Sequence, residues 1–149
     1  MSSTTQYCTF HLDKLLFGVE VQKVQEVIRY QAMTRVPLAS PVVQGLINLR
    51  GQIVTAIDLR RRFEFAPRPA GRLPMNIVIR TDDGPMSLLV DEIGDVLEMS
   101  HDAFERPPET LRGVARELIR GAYKLTDRLL LTLDTERAVQ LHGETKTQS

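Results

Sequence analysis

The sequence is poor in the residues that build disulfide scaffolds and metal centres. Its 149 residues include one cysteine, Cys8, and three histidines. A single cysteine excludes an intramolecular disulfide, and His11, His101 and His142 lack the spacing of a zinc motif. We therefore expect no cofactor and no metal site. Cys8 is interpreted as a small buried hydrophobe rather than a nucleophile, because free cysteine packs well in cores.

An excess of charge and long apolar runs are also missing. Basic and acidic residues both number 19, so the formal net charge is zero and no overall field favours nucleic acid or an anionic membrane. No apolar run approaches the ~20 residues that a membrane-spanning helix needs. The N-terminal segment MSSTTQYCTFHLDKLL lacks the basic and apolar regions of a secretory signal. These features predict a soluble, cytoplasmic protein without direct membrane insertion.

Motifs of catalysis are absent as well. The chain has no G-x-S-x-G elbow, no H-E-x-x-H helix and no glycine-rich phosphate loop. The carboxylate pairs Asp82-Asp83 and Asp91-Glu92 consist of adjacent residues, which point to opposite faces of a strand. They are interpreted as a solvated turn and a solvated strand edge. The sequence thus predicts no enzyme, although an undetected hydrolase remains a formal alternative.

Short apolar segments with turn residues between them dominate what is present. Alternation and β-branched content predict strands over residues 6–13, 17–21, 27–30, 46–49, 53–57, 76–81, 85–99, 118–124 and 128–133. Gly94 is expected to mark a bulge within the long strand 85–99. Many short strands with few long helices predict a mainly β fold built from closed or nearly closed barrels.

The segment 40–63, SPVVQGLINLRGQIVTAIDLRRRF, organises the first half of the chain. Its two apolar strands are joined by Arg50-Gly51-Gln52, where Gly51 can adopt the positive φ of a tight hairpin. Asp58 then precedes a short helix over 59–63 as its N-cap. The same order of strand, aspartate and helix returns at Asp134, with a final helix expected to end near residue 141.

The run GLINLRGQIVTAIDLRRRF resembles the signature of the CheW family of chemotaxis adaptors, approximately G-h-h-N-L-R-G-x-h-h-P-h-h-D-L, with h apolar. FGVEVQKVQEVIRY followed by TRVP, and LLVDEIGDVLEM downstream, fit the same family. The resemblance covers about residues 6–142. Thr55 stands where many members carry proline, a change that a strand tolerates because threonine favours strands and can donate to the ladder.

The resemblance implies two small SH3-like, five-stranded β-barrel lobes that share a core, with short helices. We expect a single CheW-like domain over 6–142, with a first lobe at about 15–65 and a second at about 75–133. Residues 64–74 would connect the lobes, on which the N-terminal strand and the C-terminal helix would pack. Residues 143–149 would form a polar tail.

The resemblance also implies a function and two partners. It predicts a non-catalytic adaptor that couples transmembrane chemoreceptors of the methyl-accepting type to a CheA-type histidine kinase. The partners would be the hairpin tip of the receptor's cytoplasmic coiled coil and the kinase's regulatory domain, itself CheW-like. By motif position, the receptor-binding residues are Val24, Glu26, Arg50, Ile93 and Val96. The kinase-binding residues are Val27, Gly45 and Ile53, for which core packing or turn geometry is the alternative explanation.

Arg50 and Glu26 are charges among apolar neighbours. An arginine in such a hairpin is costly unless it is paired, so we expect the two side chains to form an ion pair within the molecule. The alternative is that Arg50 extends into solvent at the hairpin tip.

A second class of function is a small barrel that binds single-stranded nucleic acid. Its basis is the basic cluster Arg60, Arg61, Arg62, Arg68 and Arg72. Such sites also need stacking aromatics along a positive groove, and the nearest aromatics, Phe63 and Phe65, suit core packing better. The alternative interpretation of this cluster is a solvated helix face.

Overall fold

The computed structural model describes residues 3–37 and 39–141. Its strands are β1 (Thr4–Leu12), β2 (Leu15–Glu20), β3 (Val24–Ile28), β4 (Val43–Leu49), β5 (Gln52–Asp58), β6 (Met75–Thr81), β7 (Gly84–Val90), β8 (Glu92–Ser100), β9 (Ile119–Lys124) and β10 (Leu129–Leu133). The α-helices are α1 (Leu59–Arg62), α2 (Val114–Leu118) and α3 (Thr135–Ala138), and 3-10 turns occupy Val21–Lys23 and His101–Ala103. The polar tail predicted at 143–149 lies outside the described residues.

The strands form two five-stranded sheets. Sheet A has the order β8-β1-β2-β10-β9, and sheet B has the order β3-β6-β7-β5-β4. The predicted mainly β fold with two five-stranded units and short helices is confirmed. Pairing in each sheet runs from one edge strand to the other without a hydrogen-bonded closure among the described strands. Sheet B nevertheless curls, since Ile28 of β3 packs on the same apolar cluster as Ile47 and Leu49 of β4.

Each sheet combines a two-stranded hairpin from one half of the chain with three strands from the other half. The hairpin β1-β2 lies in sheet A, but the next strand, β3, pairs with β6 of sheet B. The hairpin β6-β7 lies in sheet B, and the strand after it, β8, pairs with β1 of sheet A. Parallel pairs then add β5 beside β7 and β10 beside β2. The two halves therefore exchange their first hairpins, β1-β2 and β6-β7, reciprocally.

This exchange corrects the predicted division of the lobes at 15–65 and 75–133. Strand β2 belongs to the sheet completed by β9 and β10, whereas β6 and β7 belong with β4 and β5. Residues 64–74 therefore connect two strands of sheet B rather than two lobes. The reason is physical: alternation reveals which residues of a strand are buried but not which distant strand it pairs with.

A shared core lies between the sheets. Phe10 and Phe17 of sheet A and Ile77 and Leu88 of sheet B are buried in one cluster with Phe63, which follows α1. The rings of Phe10 and Phe17 stack with centroids 5.4 Å apart, and Phe63 lies 5.1 Å from Phe17. The shared core expected from the resemblance is confirmed, and it supplies the apolar burial that stabilises both sheets.

The predicted long strand 85–99 is two strands. It breaks at Asp91, where the chain passes from sheet B into sheet A. The bulge expected at Gly94 is confirmed, since the register of β1 against β8 shifts between Cys8 and Phe10. A Cβ on Gly94 would lie 2.5 Å from Thr9 Oγ1. The bulge turns Thr9 inward, and Cys8 is only half-buried rather than a core residue.

Both predicted aspartate caps are confirmed. Asp58 Oδ1 accepts a hydrogen bond from the Arg60 amide, and Asp134 Oδ1 accepts one from the Arg137 amide, each at 3.1 Å. Helix α2 is missing from the prediction, because its N-cap is Gly113, with φ 61°, and no side chain caps it. The usual polar signal for a helix start is therefore absent there.

Candidate partner-binding site

The two edges of sheet B meet through an ion pair. Glu26 lies on β3, and Arg50 lies at the tip of the β4-β5 hairpin. Arg50 Nη1 donates to Glu26 Oε1 at 3.2 Å, and Arg50 Nη2 bonds to Glu26 Oε2. The predicted pair is confirmed. Because β3 and β4 are the opposite edge strands, this contact links the two edges of the curled sheet at its rim.

The hairpin itself places Arg50. Both Arg50 and Gly51 have positive φ, 52° and 89°, as the two central residues of a type I′ turn require. The Asn48 Oδ1 accepts a hydrogen bond from the Gly51 amide at 2.8 Å. Asn48 thus has a local role that explains a polar residue at the end of an apolar strand.

The pair is open to solvent. The Arg50 side chain is 70% exposed and that of Glu26 is 22% exposed. The hydrogen bond from Arg50 lowers the pKa of Glu26, and the same bond raises the pKa of Arg50. Exposed pairs contribute little to stability because water screens them. The main effect of the Arg50–Glu26 ion pair is therefore to orient the two charged side chains.

The remaining receptor-site candidates lie on β3 and β8, the strands that follow the exchanged hairpins. Val24 on β3 and Ile93 on β8 are half-buried against the shared core, and Val96 on β8 is 57% exposed. Both strands lie at sheet edges. Val24 and Ile93 pack on the same core cluster, so the two strands meet the shared core at this point.

The three kinase-site candidates differ in exposure. Val27 on β3 and Ile53 on β5 are large aliphatic residues exposed by 39% and 60%. Gly45 is buried, and a Cβ there would lie 2.7 Å from the backbone oxygen of Thr34. Thr34 also exchanges two backbone hydrogen bonds with Leu46, at 2.8 and 2.9 Å. Gly45 thus allows this loop to approach β4, as the packing explanation expects.

The arginine cluster is largely engaged inside the molecule. Arg60 is only 7% exposed, and its Nε lies 2.9 and 3.1 Å from the two carboxylate oxygens of Asp91. Arg68 Nε donates to Asp91 at 2.9 Å, and Arg62 donates to the carbonyls of Arg137 and Ala138. The interpretation of this cluster as a solvated helix face is wrong for Arg60. A basic groove for nucleic acid is not supported.

Asp91 is buried as well, contrary to the expectation of a solvated strand edge. Its side chain is 6% exposed, and Oδ2 accepts the Asp13 amide at 2.7 Å. Burial by itself raises the pKa of this carboxyl, but hydrogen bonds from Arg60, the Asp13 amide and Arg68 outweigh burial and lower the pKa to about 2. One feature of the sequence indicates this burial: Asp91 directly follows three apolar residues, Leu88, Leu89 and Val90, where a surface position is not expected.

The Cys8 thiol is not activated as a nucleophile. Burial raises the pKa of the Cys8 thiol, which disfavours the nucleophilic thiolate. No three His, Cys, Asp or Glu side chains among residues 3–37 and 39–141 gather where they could hold a metal ion. In the same part of the chain, no helix is long and apolar enough to cross a bilayer.

Comparison with known proteins gives a consistent result. A CheW-like domain matches residues 6–142. The chemotaxis protein CheW of Treponema pallidum is 27% identical over 136 residues, covering 89% of this chain and 80% of that protein. That of Klebsiella aerogenes is 30% identical over 132 residues with the same coverage. The crystal structure of the scaffolding protein TtCheW from Thermoanaerobacter tengcongensis superposes with a TM-score of 0.84 at 25% identity, covering 95% of this chain and 96% of that one.

Proposed function

The chain belongs to the CheW-like domain family, and we propose on this basis that it couples chemoreceptors to a CheA-type histidine kinase. It acts in chemotaxis or a chemotaxis-like pathway as a non-catalytic, cytoplasmic adaptor. The observation that carries this proposal is the match over residues 6–142, together with relatives named as chemotaxis proteins. An adaptor of this kind works by holding two proteins in a geometry through which one alters the other, so its function lies in its surfaces.

The receptor surface comprises Val24, Glu26, Arg50, Ile93 and Val96. Half-buried Val24 and Ile93 form its apolar floor, exposed Val96 extends it along β8, and the ion pair stands at its rim. The occupant is the helical tip of a receptor, because a helix with an apolar stripe can cover the aliphatic side chains while its polar flank meets the charges. Arg50 acts mainly through its ion pair with Glu26, which orders the rim of this surface.

The kinase surface centres on the exposed side chains of Val27 and Ile53. Gly45 belongs to this surface indirectly, since it lets residue Thr34 pack on β4. The occupant is the kinase's regulatory domain. Removing these aliphatic side chains from water would favour association with a protein partner.

A charge-reversal series at the receptor rim tests the first surface. In a reconstituted mixture with receptor and kinase fragments, we expect Arg50→Glu to abolish receptor-dependent kinase stimulation with an unchanged circular dichroism spectrum. The double variant Arg50→Glu/Glu26→Arg restores the ion pair with opposite polarity. If Arg50 acts through Glu26, stimulation recovers in the double variant; a direct receptor contact by Arg50 would leave it lost.

The matched control is Arg120→Glu. Arg120 pairs with Glu20 at 3.6 Å, and the two side chains are 57% and 25% exposed, close to the values of the rim pair. This variant should stimulate the kinase as the unaltered protein does. Full stimulation by Arg50→Glu would contradict the receptor assignment. A shift of single-stranded DNA in a gel, without capture of either protein fragment, would favour the nucleic-acid alternative.

A further inference from the structure

Asp91 stands where the chain leaves one sheet for the other. It follows β7 of sheet B and precedes β8 of sheet A, and its amide donates to the His11 carbonyl of β1 at 3.0 Å. Its carboxylate accepts the Asp13 amide from the β1-β2 turn, on the sheet A side. It also accepts hydrogen bonds from Arg60 and Arg68, on the sheet B side. One buried side chain thus bonds to both sheets at the crossover.

The arginines on this carboxylate are themselves anchored. Arg60 Nη1 donates to the carbonyls of Ala66 and Pro67 at 3.0 and 3.3 Å, which ties helix α1 to the following loop. Arg68 also lies 3.4 Å from the capping carboxylate of Asp58. The planar guanidinium of Arg60 bonds both carboxylate oxygens, a geometry that fixes direction as well as distance. We call Asp91, Arg60 and Arg68 the crossover clasp.

The other crossover is built differently. Between β2 and β3 the chain passes through the 3-10 turn Val21–Lys23, and its ionic contact, Glu20 with Arg120, is largely exposed. Arg80 donates to the carbonyls of Gln22 and Val24 there, at 3.1 and 2.7 Å, from an exposed position. Although the two halves are related in topology, only the entry to β8 has a buried ionic anchor among the described residues.

We propose that the crossover clasp positions β8 against β3, and that Asp91 is therefore a positioning residue for receptor docking. This inference rests on the proposed function of the receptor surface. Ile93 lies two residues after Asp91, and Val96 lies five residues after it on the same strand. The other members of that surface, Val24 and Glu26, lie on β3, and Val24 packs on the same core cluster as Ile93. A change in the angle at which β8 leaves the clasp therefore alters the spacing of the whole surface.

A distance measurement tests the positioning role without any partner. In a Cys8→Ser background, spin labels are attached at Val27→Cys on β3 and Glu98→Cys on β8, two exposed positions, and double electron–electron resonance gives the distance distribution. We expect Asp91→Asn to shift or broaden this distance distribution. Arg60→Lys keeps the charge but loses the planar guanidinium, so it should have a smaller effect. Should Asp91→Asn fail to fold, Arg68→Gln at the outer side of the clasp serves as the perturbation.

The control is Ser87→Ala. It removes a buried hydrogen bond of 2.7 Å to Asn76 within sheet B and leaves the clasp intact. A merely structural role of Asp91 predicts similar distributions for Asp91→Asn, Ser87→Ala and the parent protein, and that result overturns the proposal.

Binding then connects the clasp to function. With folded protein, Asp91→Asn should weaken binding of a receptor-tip fragment by about tenfold or more and leave binding of the kinase regulatory domain within about twofold. Equal loss for both partners contradicts the positioning role. If the spin labels respond but the parent protein binds neither fragment, the proposed function fails while the positioning of β8 by the clasp stands.

Discussion

Removing the charge of Asp91 should destabilise the protein at neutral pH and remove one defined contribution to its loss of stability in acid. In the native state, two arginines and a backbone amide hydrogen-bond this buried carboxylate. Asp91→Asn keeps the size of the side chain but leaves the buried Arg60 without its counterion. Breaking a buried ion pair from one side costs about 3–5 kcal/mol. The amide oxygen of the asparagine still accepts one hydrogen bond. We therefore expect the free energy of unfolding to fall by about 3 kcal/mol at pH 7.

The pH dependence follows from the pKa of Asp91. Its ordinary value is 3.8, and it falls to about 2 in the folded protein. At about 1.4 kcal/mol for each tenfold change in the acidity constant, the ionised carboxyl contributes about 2 kcal/mol. Because the folded pKa is the lower one, the unfolded chain binds the proton first as the pH falls. The contribution is complete above about pH 5 and is lost between about pH 4 and pH 2.

The measurement is urea unfolding followed by far-ultraviolet circular dichroism, at several values between about pH 2.5 and pH 7. The stability difference between the parent protein and Asp91→Asn should shrink by about 2 kcal/mol across the acid range. Asp83→Asn, which removes an exposed carboxylate in the β6-β7 turn, is the control and should stay within about 0.5 kcal/mol of the parent. A difference that is independent of pH, or a variant as stable as the parent at pH 7, would refute the reasoning.

Three further substitutions test other parts of the fold by urea unfolding. Gly45→Ala places a Cβ 2.7 Å from the Thr34 carbonyl oxygen and should cost about 1–3 kcal/mol, whereas an unchanged midpoint would show that the loop yields freely. Ser87→Ala leaves the buried Asn76 Oδ1 without its donor and should cost about 1–3 kcal/mol; no loss would mean that the bond is dispensable. Asp134→Ala removes the cap of α3 and should cost about 1 kcal/mol, with faster hydrogen exchange at the Arg137 amide; unchanged exchange would contradict the cap.

Local features were the most predictable part of the structure. The turn at Gly51, the caps at Asp58 and Asp134 and the bulge at Gly94 each depend on a few neighbouring residues, so their signals are present in the sequence itself. The pairing of Arg50 with Glu26 was also predictable, because a charged residue among apolar neighbours is costly unless it is paired with an opposite charge.

Long-range pairing was not predictable from alternation. Strands β3 and β8 have the composition of ordinary edge strands, and nothing local states that each pairs with the other hairpin. The interpretation of Arg60 and Asp91 failed for a related reason. Arg60 and Asp91 are 31 residues apart in sequence. The residues next to either one therefore do not reveal its counterion, which comes close only in the folded chain. Buried ionic groups therefore have to be located in three dimensions.

The reciprocal exchange of the hairpins β1-β2 and β6-β7 governs how the chain can be assembled. When a ribosome has released only the first 74 residues, β1 and β2 still await the partners supplied by residues 92–133, so sheet A is completed only near the end of synthesis. Severing the chain between residues 64 and 74 would give two pieces, and in each of them several strands would lack their hydrogen-bonded neighbours. The same pieces should recombine when mixed, which makes this loop a natural position for a split-protein reporter.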